Sequence, residues 1–192
     1  GYFRAAPADV RALAARIAGD AGADALLADI PLDSEMTALA ARRQLTRLYG
    51  LASLVDWARM HHAPAFAYYY THPEPGPGQE MFGAFHSAEM PYTFNSWRTS
   101  PDRPFTEYDR SVAATMSQQW ATFVERGDPN GPGLPQWPEF ANRSGGVMEL
   151  GAHFAPYRTE EQKLHLVLGR FAIGPGRSIF GIESFVETSR DR

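Results

Sequence analysis

Apolar positions Val10, Leu13 and Ile17 recur at helical spacing between Pro7 and about Gly19, with a proline suited to the first turn and a glycine to the stop, so the chain opens on a short amphipathic helix. A longer helix is predicted from the capping pair Asp33-Ser34 through Met36, Leu39, Ala40, Leu48, Leu51, Ala52 and Val55 towards His61-His62, with Gly50 weakening its middle. After Pro64 the run from Ala65 to Thr71 is short and aromatic and is closed by Pro73, Pro75 and Pro77, which predicts a buried strand. The Gly- and Pro-rich segment from His72 to Gly83 reads as an exposed loop. Thr106 with Asp109 forms a capping-box start for a helix whose apolar face is Val112, Met116, Trp120 and Phe123, and Gly127 with Pro129 ends it. A turn-rich stretch, a strand around Gly146 to Leu150 and a final helix near Thr159 to Phe171 come next. Strand and helix alternate with crossing connections, so the fold class is α/β.

Composition narrows the classes. The 192 residues are 44% hydrophobic and 21% charged, enough to build a packed core in one domain or in a substantial piece of a larger one. A net charge of -4 with scattered basic residues leaves no positive stripe for a phosphate backbone, so nucleic-acid binding is not expected. No apolar run reaches the roughly 18–20 residues of a membrane span. Zero cysteines exclude a disulfide, a thiolate nucleophile and a cysteine zinc site within this sequence, and compartment is left open. The sole lysine, Lys163, and the abundance of alanine fit a GC-rich bacterial gene. Because Gly1-Tyr2-Phe3 runs straight into ordered-looking sequence without an initiator Met, an upstream segment is expected.

Six histidines are the natural proton-transfer candidates. His61, His62 and His72 are close in sequence, but a helix end and a strand separate them and no metal-ligand spacing supports a site, so no metal is expected. His153 and His165 stand singly in apolar surroundings. His86 differs: Gly83, Ala84, Ser87 and Ala88 bracket it, and Glu89, Tyr92, Phe94 and Trp97 lie just downstream. Small neighbours let a substrate approach an imidazole, although a loop histidine beside aromatic residues is equally compatible with packing.

The run Gly83-Ala84-Phe85-His86-Ser87-Ala88-Glu89-Met90-Pro91-Tyr92-Thr93-Phe94 resembles the histidine-bearing motif of the type-B carboxylesterases, the cholinesterase-like α/β-hydrolases that include bacterial para-nitrobenzyl esterases. Downstream, Trp120-Ala121-Thr122-Phe123, Gly127-Asp128-Pro129-Asn130 and Trp137-Pro138-Glu139-Phe140 resemble that family's C-terminal helix, its stop and its tryptophan–proline turn, in the same order. The resemblance reaches about Phe171. It implies the C-terminal part of an α/β-hydrolase fold over residues 1–172, incomplete without the upstream half, with a divergent tail over 173–192. It also implies a serine-type carboxylic ester hydrolase acting on a small-molecule ester without metal or organic cofactor.

In that reading His86 is the triad histidine, Glu89 supports its loop by hydrogen bonds, and Phe85, Tyr92 and Trp97 line the substrate pocket. Phe94, Trp120 and Phe123 are core. Asp24, Asp29 and Asp33 are capping residues rather than the triad acid. The family presents its serine on a G-x-S-x-G elbow before the acid and histidine. No such elbow occurs here, and Gly176-Arg177-Ser178-Ile179-Phe180-Gly181 has the wrong spacing and comes after His86. Gly1-Tyr2-Phe3 resembles the residues directly after the family's triad glutamate. Serine, oxyanion hole and acid are therefore expected upstream, on the other half of the same hydrolase or on a separate chain, and these 192 residues alone are expected to be inactive. The alternatives are a non-catalytic cholinesterase-like protein–protein interaction module, distinguished by loss of the serine from the upstream half, and a free-standing domain of unrelated function.

Overall fold

A computed structural model describes residues 4–61, 63–140, 146–157 and 161–171. The elements in chain order are α1 (Pro7–Ala18), α2 (Asp20–Leu27), α3 (Glu35–Met60), β1 (Ala67–Tyr70), α4 (Gln79–Phe82), α5 (Met90–Thr93), a 3-10 turn (Trp97–Thr99), α6 (Glu107–Arg126), β2 (Val147–Leu150), β3 (Ala155–Pro156) and α7 (Glu161–Phe171). They fall into two compact units, residues 1–60 with 159–192, and residues 61–158.

The first unit is helical, with α3 and α1 each packed against α7 and α1 against α2. In α1, Pro7 occupies the first turn, the Asp9 carboxylate accepts from the Ala6 N–H at 3.1 Å, and Val10, Ala14 and Ile17 are buried on one face. Gly19, at φ 75°, ends α1, and α2 starts at the next residue, an element the apolar pattern did not predict. Gly50 does not interrupt α3. The packing of α3 against α1 and α7 outweighs the roughly 1 kcal/mol that a helical glycine costs.

The second unit carries a three-stranded sheet in the order β1-β2-β3. β1 and β2 are parallel, with Ala67 opposite Val147 and Tyr70 opposite Leu150, while β2 and β3 are antiparallel. A parallel pair needs a crossover, and the chain from α4 through α6 supplies it. β1 is shorter than the run from Ala65 to Thr71 and is half-buried rather than buried: Ala67 is enclosed, Tyr68 is exposed, and Tyr69 and Tyr70 are intermediate. Among the described residues β1 has β2 as its one strand neighbour. Tyr92, Val112, Ala113, Met116, Trp137, Met148 and Leu150 form the core, with Phe66, Tyr70, Trp97, Phe105, Trp120 and Phe154 packed on it.

The best-signalled helix, α6, forms as its sequence dictates. The Thr106 hydroxyl accepts from the Asp109 N–H at 3.2 Å, the Asp109 carboxylate accepts from the Thr106 N–H at 2.7 Å, and Gly127 closes the helix in the left-handed region at φ 73°. Two expected core residues lie outside the core: Phe123 is 43% and Phe94 65% exposed. Phe94 comes after a helix of only four residues and sits four positions beyond exposed Met90, while Tyr92 and Thr93 between them are buried. Phe123 meets Phe66 edge-on at 6.0 Å but keeps its outer face open. Among the described residues no helix is long and apolar enough to cross a membrane. Residues 1–3, His62 and the tail 173–192 lie outside the described residues.

Candidate active site

Two short helices hold the His86 loop between them. α4 ends at Gly83, whose φ of 59° turns the chain, and α5 begins at Met90. Between them the Ala88 N–H donates to the Phe85 carbonyl at 3.0 Å, closing a turn with His86 and Ser87 at its tip. Ser87 has φ 73°, a left-handed conformation that costs a non-glycine residue roughly 1–3 kcal/mol and persists only where its surroundings impose it. His86 is exposed at this tip, and among the described residues no partner hydrogen-bonds its ring.

Behind the tip the loop is pegged. Ala88 is 1% exposed, and its carbonyl accepts from the Tyr70 hydroxyl at a long 3.5 Å. The Glu89 carbonyl accepts the Tyr92 and Thr93 N–H groups at 3.0 and 2.8 Å, so its main chain starts α5, while its carboxylate has no hydrogen bond among the described residues. That carboxylate lies near Tyr68 and Tyr70. Burial chiefly pushes both phenols up from their ordinary value, and the Glu89 charge adds to it. Of the three expected pocket residues, Phe85 is 40% exposed beside His86 and meets Phe82 edge-on at 6.3 Å. Trp97 is half-buried against Phe105 with the Arg98 guanidinium 4.1 Å over its ring. Tyr92 is wholly enclosed in the core.

The Tyr92 hydroxyl leads to a second polar centre. It donates to Asp109 Oδ1 at 2.9 Å, and His72 Nε2 lies 2.6 Å from the same oxygen. Asp109 Oδ2 accepts from the Thr106 hydroxyl at 2.6 Å and from its N–H at 2.7 Å. Burial alone would raise the Asp109 pKa, but the donors from Thr106, His72 and Tyr92 together hold it below the ordinary value. An ionised carboxylate only accepts, so His72 Nε2 carries the hydrogen. The His72 side chain is 13% exposed, and its ring stands edge-on to Tyr92 at 5.1 Å and to Tyr108 at 5.5 Å. Burial and the bond to Asp109 also push the Tyr92 phenol up. In the sequence His72 stands near two histidines without metal-ligand spacing, and Asp109 stands as a helix cap. The one available signal was an imidazole immediately after a strand and a carboxylate with a spare oxygen. Among the described residues no three histidines and carboxylates gather as a metal site.

The chain superposes on a solved PNB esterase with a TM-score of 0.62, at 20% identity, over 86% of this chain and 34% of that one. A second PNB esterase structure gives 0.53 at 18% identity, over 85% of this chain and 33% of that one. The architecture is thus part of an α/β-hydrolase fold. The family model described as "Carboxylesterase family" matches residues 31–167, and the chain belongs to that family. Acylcarnitine hydrolase of Mus musculus is 35% identical over 81 residues, which are 40% of this chain and 14% of that protein. Cocaine esterase of Homo sapiens is 40% identical over 57 residues, 30% of this chain and 10% of that protein. Phenmedipham hydrolase of Pseudarthrobacter oxydans is 36% identical over 74 residues, 36% of this chain and 15% of that protein. The chain spans about a third of the esterase structures it superposes on, and its matches cover a smaller share of the curated relatives.

Proposed function

We propose that this chain supplies the histidine of a serine carboxylic ester hydrolase, with His86 as general base and then general acid. In that chemistry a serine hydroxyl attacks the ester carbonyl, the imidazole takes its proton and returns it to the departing alcohol, and a carboxylate fixes the ring's tautomer. The observation that carries the reading is an exposed His86 with no partner among the described residues, at the tip of a turn whose next residue is held at φ 73°. An imidazole packed into the core would have no face for a serine. Membership of the carboxylesterase family and relatives named as a hydrolase and an esterase support the same reading.

The sequence holds no G-x-S-x-G elbow, so in this reading the serine and its oxyanion hole come from polypeptide other than these residues, and Phe85 with Phe82 offers an apolar contact to the ester's acyl or alcohol group. The test is fluorophosphonate labelling and ester hydrolysis by the intact protein containing this chain, repeated with His86→Ala. The expected result is a fall in both of at least about 10³-fold. Undiminished labelling and turnover would remove His86 from the mechanism. A parent protein that never labels, because no serine stands on its elbow, would instead support a non-catalytic interaction module.

A further inference from the structure

Nothing hydrogen-bonds the His86 ring among the described residues, so what these residues contribute to its position is the backbone that carries it. That backbone is tied down at two buried points on its C-terminal side, Ala88 and Tyr92, both at most 1% exposed. The first tie is weak, the 3.5 Å bond from Tyr70. The second is strong: the Tyr92 hydroxyl donates at 2.9 Å to a carboxylate whose other bonds come from His72 and Thr106. A bond to an ionised acceptor is roughly twice as strong as one between neutral groups. Phe105 and His72 brace the Tyr92 ring edge-on at 6.0 and 5.1 Å.

We propose that Asp109, held in place by His72 and Thr106, is a positioning residue for His86, acting through the Tyr92 hydroxyl to fix where the loop presents the imidazole. This rests on the reading of His86 as the proton shuttle and deepens it. The carboxylate is 5% exposed and its two oxygens are taken by Thr106, His72 and Tyr92, so it acts through the tyrosine hydroxyl. His72 and Asp109 have the spacing of an acid–base dyad, but the imidazole is packed between two tyrosine rings and commits Nε2 to the carboxylate, so its work is to hold Asp109.

Tyr92→Phe deletes one hydroxyl and leaves the ring packing intact, so it isolates the tie. In the intact protein containing this chain, kcat for a nitrophenyl ester is expected to fall about tenfold with KM nearly unchanged, since a displacement of about 1 Å at a catalytic group can cost 10²-fold. The Cε1–H resonance of His86 is expected to broaden or shift in the same variant, a readout independent of turnover. His72→Gln, which keeps an N–H donor for Asp109, is expected to retain most of the activity that His72→Leu loses. Two results overturn the proposal: a kcat unchanged in Tyr92→Phe, or equal inactivation by His72→Gln and His72→Leu, which would make His72 itself the proton carrier. His86→Ala assayed alongside separates the two layers. If it stays active, the reading of His86 fails; if it is dead while Tyr92→Phe is fully active, only the positioning role fails.

Discussion

Asn130 is expected to contribute more to stability than its half-buried loop position suggests, because it replaces a strand partner for a buried tryptophan. Its Oδ1 accepts from the Trp137 N–H at 2.7 Å and its Nδ2 donates to the Trp137 carbonyl at 2.9 Å, so one amide satisfies both main-chain groups of a residue only 3% exposed. The same Nδ2 donates to Asp128 Oδ1 at 2.7 Å, which fixes the amide's orientation. Trp137 so held donates its indole N–H to the Ala67 carbonyl of β1 at 3.0 Å and packs against Trp120 and Tyr68. Asn130→Ala removes three side-chain bonds, the two to the Trp137 main chain worth roughly 1 kcal/mol each net, and leaves two main-chain groups that cost roughly 1–3 kcal/mol each if they stay dry. Partial entry of water brings the expected loss to about 2–4 kcal/mol. Asn130→Asp keeps the acceptor but turns a second oxygen on the Trp137 carbonyl and on Asp128, so it is expected to be at least as damaging. Urea unfolding monitored by tryptophan fluorescence reads this region directly, since Trp97, Trp120 and Trp137, three of the four tryptophans, lie in the unit spanning residues 61–158. The midpoint should drop with the slope unchanged. A change below about 0.5 kcal/mol in both variants, the scatter of ordinary surface substitutions, would refute the reasoning.

Gly151→Ala should lower stability by at least about 2 kcal/mol in the same assay: its φ of +127° strains any side chain, and a Cβ would stand 2.5 Å from His72 Cβ and 2.6 Å from its main-chain nitrogen; a neutral effect would mean that β1 and β2 slide apart freely there. The lowered pKa of Asp109 makes an acid-limb prediction. A carboxylate whose folded pKa lies below its unfolded value, here near 3.8, stabilises fully above that value, and its contribution is lost as pH falls through the lower folded one. Asp109→Asn should therefore be less stable than the parent at pH 7 yet lose stability less steeply below about pH 4. Parallel acid limbs in urea midpoints at about pH 7, 4 and 3 would contradict the charge-based account.

Elements set by local chemistry are legible in the sequence. α6 is the clearest, because its cap, its apolar face and its glycine stop lie within one continuous stretch; cap and stop form as read, and the face does so except at Phe123, which is 43% exposed. The sheet is legible only in part. β1 pairs Ala67 with Val147, eighty positions apart, and four-residue strands carry too little alternation to announce either a partner or an edge. α2 is hidden because Gly19 signals a stop and does so, while the immediate restart depends on packing against α1. The helices α4 and α5 are single turns, α4 within the Gly- and Pro-rich stretch and α5 beyond it, both below the length at which periodicity means anything.

The candidate site divides along the same line. The small residues around His86, with the resemblance of the run that holds it, single that imidazole out, and it stands exposed at the tip of its turn. Its support is invisible for a reason that generalises. A capping aspartate looks fully employed in a sequence, yet the cap uses one carboxylate oxygen; here Oδ2 takes both Thr106 donors, leaving Oδ1 to whatever the tertiary fold brings. The fold brings His72 from beyond β1 and Tyr92 from α5, two residues with no spacing relation to Asp109. Tyr92 shows the complementary limit. Its place six residues after His86 suggests a pocket wall, but which side of the backbone it occupies is decided by burial, and its hydroxyl can enter the core because a carboxylate is already there to receive it. A helix cap thus also receives the hydroxyl of a core tyrosine six residues beyond His86 without any change in its local role.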